Sequence, residues 1–206
     1  MRKSIPNYHI NVFLNCPFDN EFLPLFRALT FTVQYCGFIP RCALETGGSE
    51  HIRIVKIIEI IRQCALGIHD LSRTELNQNQ MPRFNMPLEL GIFIGAGYLG
   101  KGVQTQKNYL ILDSGQFRFK EYISDVSGQD IGAHSGTEEG IIKATRDWLS
   151  HHTNGRLLEG TQYIFDHYST FKDLLPDFCK KYKLTPKELQ FNEFTSLSSI
   201  YINATK

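Results

Sequence analysis

The chain has 206 residues, 42% hydrophobic and 21% charged, a size and balance that suit one α/β or α+β domain with a small appendage. Lys and Arg number 22 against 21 Asp and Glu, so at a formal +1 the bulk positive field that holds DNA or RNA is missing, and no nucleic acid is expected as partner. No apolar run reaches the roughly 18 residues of a membrane span, and the polar start Met1-Arg2-Lys3-Ser4-Ile5-Pro6-Asn7 reads without an export signal, so a cytoplasmic protein off the membrane is expected.

Tyr8–Leu14 is a short β-rich run that breaks at Asn15-Cys16-Pro17. From Asp19 to Tyr35, Phe22, Leu25, Phe26 and Leu29 recur at helical spacing, so strand, loop and helix follow one another. Gly37 ends that helix and Phe38–Leu44 reads as a second strand. The polar Glu45–Ser49 loop then leads into a helix carrying Ile52, Val55, Ile58, Ile60 and Ile61. Ala65–Leu71 is a third strand, an Asn- and Gln-rich loop spans Ser72–Asn85, and an apolar segment runs from Met86 to Ala96. Tyr109–Leu112 supplies a fourth strand, and the alternation predicts parallel strands joined by right-handed crossovers.

Beyond it, Phe117–Asp125 reads as a short helix and Gln129–His134 as a fifth strand or an extended connection. Glu138–His152 is a helix with Ile141, Ile142, Thr145, Trp148 and Leu149 on one side, acids at its start and His151-His152 at its end, as the macrodipole prefers. A helical pattern from Thr161 runs to Pro176, and Thr185-Pro186 opens a last segment whose order the pattern leaves open. The expected organisation is an α/β domain over 1–155 and a C-terminal helical extension over 156–206 packed on it.

Five cysteines, an odd number with no CxxC pair, suggest neither a disulfide framework nor a zinc cluster. In an open parallel sheet, ligands bind outside the carboxyl ends of the strands, so the loops after the strands are where chemistry is sought. They carry Asn15, Cys16, Phe18 and Asp19 after the first strand, Arg41 and Glu45 after the second, His69, Asp70, Ser72 and Arg73 after the third, and Asp113 and Ser114 after the fourth. Neither GxGxxG nor GxxxxGK[ST] follows the first strand, which argues against a dinucleotide fingerprint and a Walker loop. Asp19 suits a helix cap before Glu21 as well as a ligand contact, and Cys16 as a nucleophile needs a cationic partner.

Phe84-Asn85-Met86-Pro87-Leu88-Glu89-Leu90-Gly91 is the most informative stretch. Pro87 suits a first helical turn, which puts Glu89 in that turn, where the helix dipole stabilises a carboxylate. Leu88, Leu90, Ile92, Phe93 and Ile94 make the helix apolar nearly all round, so it reads as buried with Glu89 as its only charge. A buried carboxylate is costly unless paired or used. Asp70 ends a strand at the same edge, either to face what Glu89 faces or to brace its loop through Arg73 or Arg83. His69 falls on the opposite face, and Arg41 and Arg83 suit either a phosphate or salt bridges.

From Val12-Phe13-Leu14-Asn15 to Ile111-Leu112-Asp113 the pattern resembles the nucleoside 2-deoxyribosyltransferase family and the related Toll/interleukin receptor (TIR) domains, many of which, in bacteria, break down NAD. The resemblance implies a flavodoxin-like (Rossmann-like) three-layer sandwich with a mostly parallel sheet of four or five strands. Glu89-Leu90-Gly91-Ile92-Phe93 is similar to that family's E-x-G-x-A context, with Phe93 where a small residue is common, and implies that Glu89 is the catalytic carboxylate. Asp70 matches a strand-end aspartate that binds sugar hydroxyls. The transferases often show Gly-Pro after the first strand, whereas this chain has Asn15-Cys16-Pro17-Phe18, so base recognition does not carry over.

Cleaving an N-glycosidic bond builds oxocarbenium-like charge, which one carboxylate stabilises while a second orients the sugar. The expected function is N-glycosidic cleavage of NAD or another nucleotide or nucleoside without a cofactor or metal. A nucleotide-sensing or TIR-type signalling module is the alternative. Asn15, Cys16, Phe18, Asp19, Arg41, Ser72, Arg83, Asn85 and Asp113 are the candidate ligand contacts, and Glu89 and Asp70 the catalytic pair. The apolar helix 138–152 and the aromatic segment with Tyr163, Phe165, Tyr168 and Phe171 suggest a homo-oligomer.

Overall fold

The computed structural model describes residues 5–45, 52–73, 84–115 and 131–206. Strands β1 (Asn11–Asn15), β2 (Ile39–Arg41), β3 (Leu66–Asp70), β4 (Asn108–Asp113) and β5 (Ile131–Ala133) form one sheet in the order β2-β1-β3-β4-β5, every pairing parallel. Helices α1 (Leu23–Tyr35), α2 (Arg53–Gln63), α3 (Asn85–Tyr98) and α4 (Glu138–Ser150) flank it, and α5 (Thr161–Lys181) and α6 (Phe191–Thr205) follow. This is the flavodoxin-like, Rossmann-like α/β architecture expected. The possible helix at 117–125 lies outside the described residues.

Strand alternation divides the core. Val12, Leu14 and Ile68 point to the face covered by α1 and α4, while Phe13 packs on the other face against Ile57, Ile60 and Ile61 of α2 and Phe93 of α3. Both faces are therefore apolar, as a central parallel sheet requires. The helix α4 starts at Thr137, whose Oγ1 accepts the Gly140 N–H at 3.0 Å, with Glu138 and Glu139 in its first turn. A Cβ on Gly140 would stand 2.2 Å from the His134 carbonyl, so the helix start can approach the β5 loop only with glycine there.

The C-terminal helices add a further layer over α1 and α4, and one continuous apolar cluster runs through all four helices. Phe31 on α1 is fully buried against Tyr35, Tyr168, Phe171 and Tyr201. Most of the aromatic surface expected to drive self-association, including Tyr168 and Phe171, is thus covered within the chain, although Tyr163 remains exposed.

Three helices besides α3 differ from their sequence reading. Pro176 lies inside α5 instead of ending it, because it faces solvent while Leu175 and Cys179 continue the buried stripe. The undecided tail is α6, opened by a capping box between Gln190 and Glu193 and buried along Phe191, Phe194, Leu197 and Tyr201, a helical spacing masked by the Ser and Thr between them. In α2 the buried set is Ile57, Ile60 and Ile61, leaving Ile52, Val55 and Ile58 exposed. Among the described residues, no helix is long and apolar enough to cross a membrane.

Candidate functional site

In this strand order the chain switches direction between β1 and β3, so their carboxyl ends flank the crevice where such sheets bind ligands. Asn15 ends β1 with its side chain on the α2/α3 face. Its Nδ2 donates to His69 Nδ1 at 3.0 Å and to the Met86 carbonyl at 2.8 Å. The carbonyl fixes the amide's orientation, so His69 accepts at Nδ1 and carries its proton on Nε2. Among the described residues that Nε2 has no hydrogen-bond partner, and the ring lies among those of Phe13, Phe93 and Tyr109. A Cβ on Gly67 would stand 2.7 Å from Nε2 and 2.9 Å from the Phe93 ring, so only glycine admits this imidazole. Burial drives the His69 pKa down to about 3, with the Lys107 cation adding to the shift. Asn15, expected to touch ligand, therefore ties together β1, β3 and the start of α3.

Asp70 projects to the opposite sheet face and is 0% exposed. Its Oδ1 accepts the Ser72 N–H at 2.9 Å and the Ser72 hydroxyl at 2.5 Å, and its Oδ2 lies 3.1 Å from His134 Nε2. The Nε2–Oδ2 line departs from good hydrogen-bond geometry, so the two side chains are close without being aligned as donor and acceptor. His134 Nδ1 accepts the Gly136 N–H at 3.0 Å, which leaves its ring proton on Nε2, facing Asp70. Asp70 thus braces the β3 loop, with Ser72 and His134 as partners. Arg73, the partner suggested by the sequence, instead reaches Glu21 at 2.7 Å and Asp19 at 3.7 Å, and Arg83 lies outside the described residues.

Glu89 lies on the inner face of α3 beside Met86, Leu90 and Phe93, and is only 9% exposed. The helix begins at Asn85, so Glu89 falls past the first turn and the dipole account of its charge fails. The all-round burial expected of this helix is also not found. Leu88, Tyr98 and Leu99 are exposed, and one face alone packs on the sheet. Among the described residues the Glu89 carboxyl has neither a hydrogen bond nor an ion pair. Burial pushes its pKa up to about 7, opposed by the charge of Arg53.

Cys16 is buried beside these groups. Burial, then the charges of Asp70, Cys42 and Glu89, hold its thiol well above the usual range, which opposes the thiolate a nucleophile needs. Asp113 ends β4 fully buried, its Oδ1 accepting the Ser114 N–H at 2.6 Å. Phe18 packs edge-on against Phe26 at 5.2 Å. The Asp19 Oδ1 accepts the Phe22 N–H at 3.0 Å in the turn before α1, so Asp19 stabilises that turn, whereas the N-cap of the helix itself is Phe22, which has no side-chain cap. Arg41 Nε shares its hydrogen between the two Glu45 carboxylate oxygens at 2.8 and 2.9 Å and Nη2 donates to Gln63 Oε1 at 3.2 Å, so its guanidinium is held by salt bridge and hydrogen bond. Asn85 is the exposed first residue of α3.

The carboxyl edge of the sheet thus carries Asn15 and Glu89 on the α2/α3 face and Asp70 with its partner Ser72 on the opposite face, with Cys16 near both carboxylates, and adds His134, which the sequence reading missed. Nothing local marks His134. It reaches Asp70 only because β5 lies beside β4, and β4 beside β3. Among the described residues no group of three or more His, Cys, Asp or Glu side chains is arranged to hold a metal. No protein-family model, curated protein or solved structure matches the chain.

Proposed function

We propose that the protein cleaves the N-glycosidic bond of NAD or of another nucleotide or nucleoside, with Glu89 as the carboxylate that meets the sugar. One observation carries this reading: a largely buried carboxyl group that, among the described residues, makes no hydrogen bond or ion pair, at the switch-point edge of a parallel sheet. A protein gains no stability from such a group, which is costly to ionise where it stands. A cationic sugar centre is the partner that would make its charge favourable. As the C1′–N bond breaks, its electron pair leaves with the base and positive charge grows at C1′ and the ring oxygen. Ionised Glu89 stabilises that charge, and water adds its oxygen to C1′ and loses a proton. Asp70 enters this reading through Ser72 and His134, as a buried brace of the loop beside the sugar.

Release of free base from NAD, nucleosides and nucleotides tests the proposal directly. Glu89→Gln keeps size and shape but removes the charge, and should lower turnover at least ~100-fold, about 2.7 kcal/mol of transition-state stabilisation. Base release at the wild-type rate by a folded Glu89→Gln protein sinks the reading. The full burial of Asp70, whose Oδ1 is taken up by Ser72 and whose Oδ2 faces His134, favours a second reading, a nucleotide-sensing or TIR-type signalling module without turnover. Saturable nucleotide binding with no base released would support it.

A further inference from the structure

A groove separate from the sheet edge runs between α1 and the C-terminal helices. Its larger part is a cavity of about 360 Å³ floored by Leu23, Pro24, Phe171, Leu175 and Phe194. A smaller cavity of about 70 Å³, walled by Phe18, Leu44 and Leu189, shares Leu23, Arg27 and Phe194 with it. Arg27 therefore stands at the waist of a mostly apolar channel. Its Nη2 donates to the Pro186 carbonyl at 2.5 Å, and its guanidinium lies 5.5 Å from the centre of the Phe194 ring. Among the described residues no carboxylate forms an ion pair with it.

A half-buried guanidinium in apolar surroundings is costly without an anion, and burial already lowers its pKa. The remaining charged groups of the cavity balance one another. Glu138 is bound to Lys172 at 2.5 Å and accepts from the Tyr168 hydroxyl at 3.2 Å, which leaves the Arg27 charge uncompensated. We propose that this groove binds an amphipathic monocarboxylate, its carboxylate on Arg27 and its apolar body along Leu23, Phe171 and Leu175. One negative charge fits the one spare positive charge, whereas a dianion such as a phosphate would also meet Glu138. The cavity is at the small end of ligand pockets, which suits a chain or ring of medium size. The site exists only because α5 and α6 pack on α1, which gives the C-terminal extension a binding role of its own.

The test is calorimetric titration of the full chain with octanoate below its micellar concentration, with 1-octanol as the uncharged probe. Octanoate should bind saturably and raise the melting temperature, and 1-octanol should bind at least ten-fold more weakly. Arg27→Gln removes the charge, and Leu23→Trp fills the junction of the two cavities while leaving Arg27 in place. Each should weaken octanoate at least ten-fold. No saturable binding to the wild type, equal binding of octanol, or full affinity in either folded variant overturns the proposal. Should Arg27→Gln fail to fold, Leu23→Trp and the octanol comparison decide it.

Discussion

The amide nitrogen of Asn15 lies 3.0 Å from Nδ1 of His69 and spends its other hydrogen on the Met86 carbonyl at 2.8 Å. Two adjacent strands and the helix bearing Glu89 are thus referenced to one buried side chain. Asn15→Leu keeps the approximate volume but deletes both donors and leaves two buried acceptors unpaired. Unsatisfied buried acceptors cost about 1–3 kcal/mol each, so urea unfolding should show a loss of roughly 2–6 kcal/mol. An unchanged midpoint would mean that these bonds contribute nothing to stability.

His69 should make the fold sensitive to acid. Its folded pKa is about 3 against an ordinary value of 6.5, so between these limits only the unfolded chain takes up the proton. Stability therefore falls as the pH drops from 6.5 towards 3. The variant His69→Gln, which retains an acceptor for Asn15, should show a shallower decline, by up to about 1.4 kcal/mol per pH unit. Denaturant unfolding between pH 4.5 and 7 measures the difference. Parallel curves for the two proteins would assign the acid sensitivity elsewhere.

Glu89 has the opposite sign. Its folded pKa is raised from 4.5 to about 7, so its contribution is intact below 4.5 and is lost as the pH rises to 7. Glu89→Gln should therefore match the wild type near pH 4.5 and exceed it at pH 8, by at most about 3 kcal/mol. A melting temperature at pH 8 no higher than that of the wild type would contradict the burial cost.

The same ionisation should govern turnover if the proposed chemistry holds. The stabilising form of Glu89 is the carboxylate, so kcat/KM for base release should rise with pH and level off above about 7. A profile flat from pH 5 to 8 would remove Glu89 from the rate-determining chemistry.

The C-terminal extension should be inseparable from the α/β unit. Deleting 156–206 uncovers Phe31 and Tyr35 of α1, which α5 and α6 now cover. Exposing several large aromatic groups costs about 1.5–3 kcal/mol each, comparable in sum to the whole stability of a domain. The shortened chain should lose its near-ultraviolet circular dichroism and bind a hydrophobic dye. A native-like spectrum would show two independent units.

The alternation of short apolar runs with amphipathic stretches was enough to order β1 to β4 with their helices, because pleat and helix periods are local properties of the chain. Glu89 was legible for the same reason, as one acid in an apolar helix. Local periodicity could not choose which face of α3 is buried, since Leu88, Ile92 and Ile94 make its pattern nearly uniform; only packing on the sheet turned Glu89 inward. Nor could it pair Asp70 with His134 or Asn15 with His69, contacts spanning 64 and 54 positions that exist only through the order of parallel strands. Strand order is set by which apolar faces the crossover helices can cover together, and that is decided by the whole chain at once.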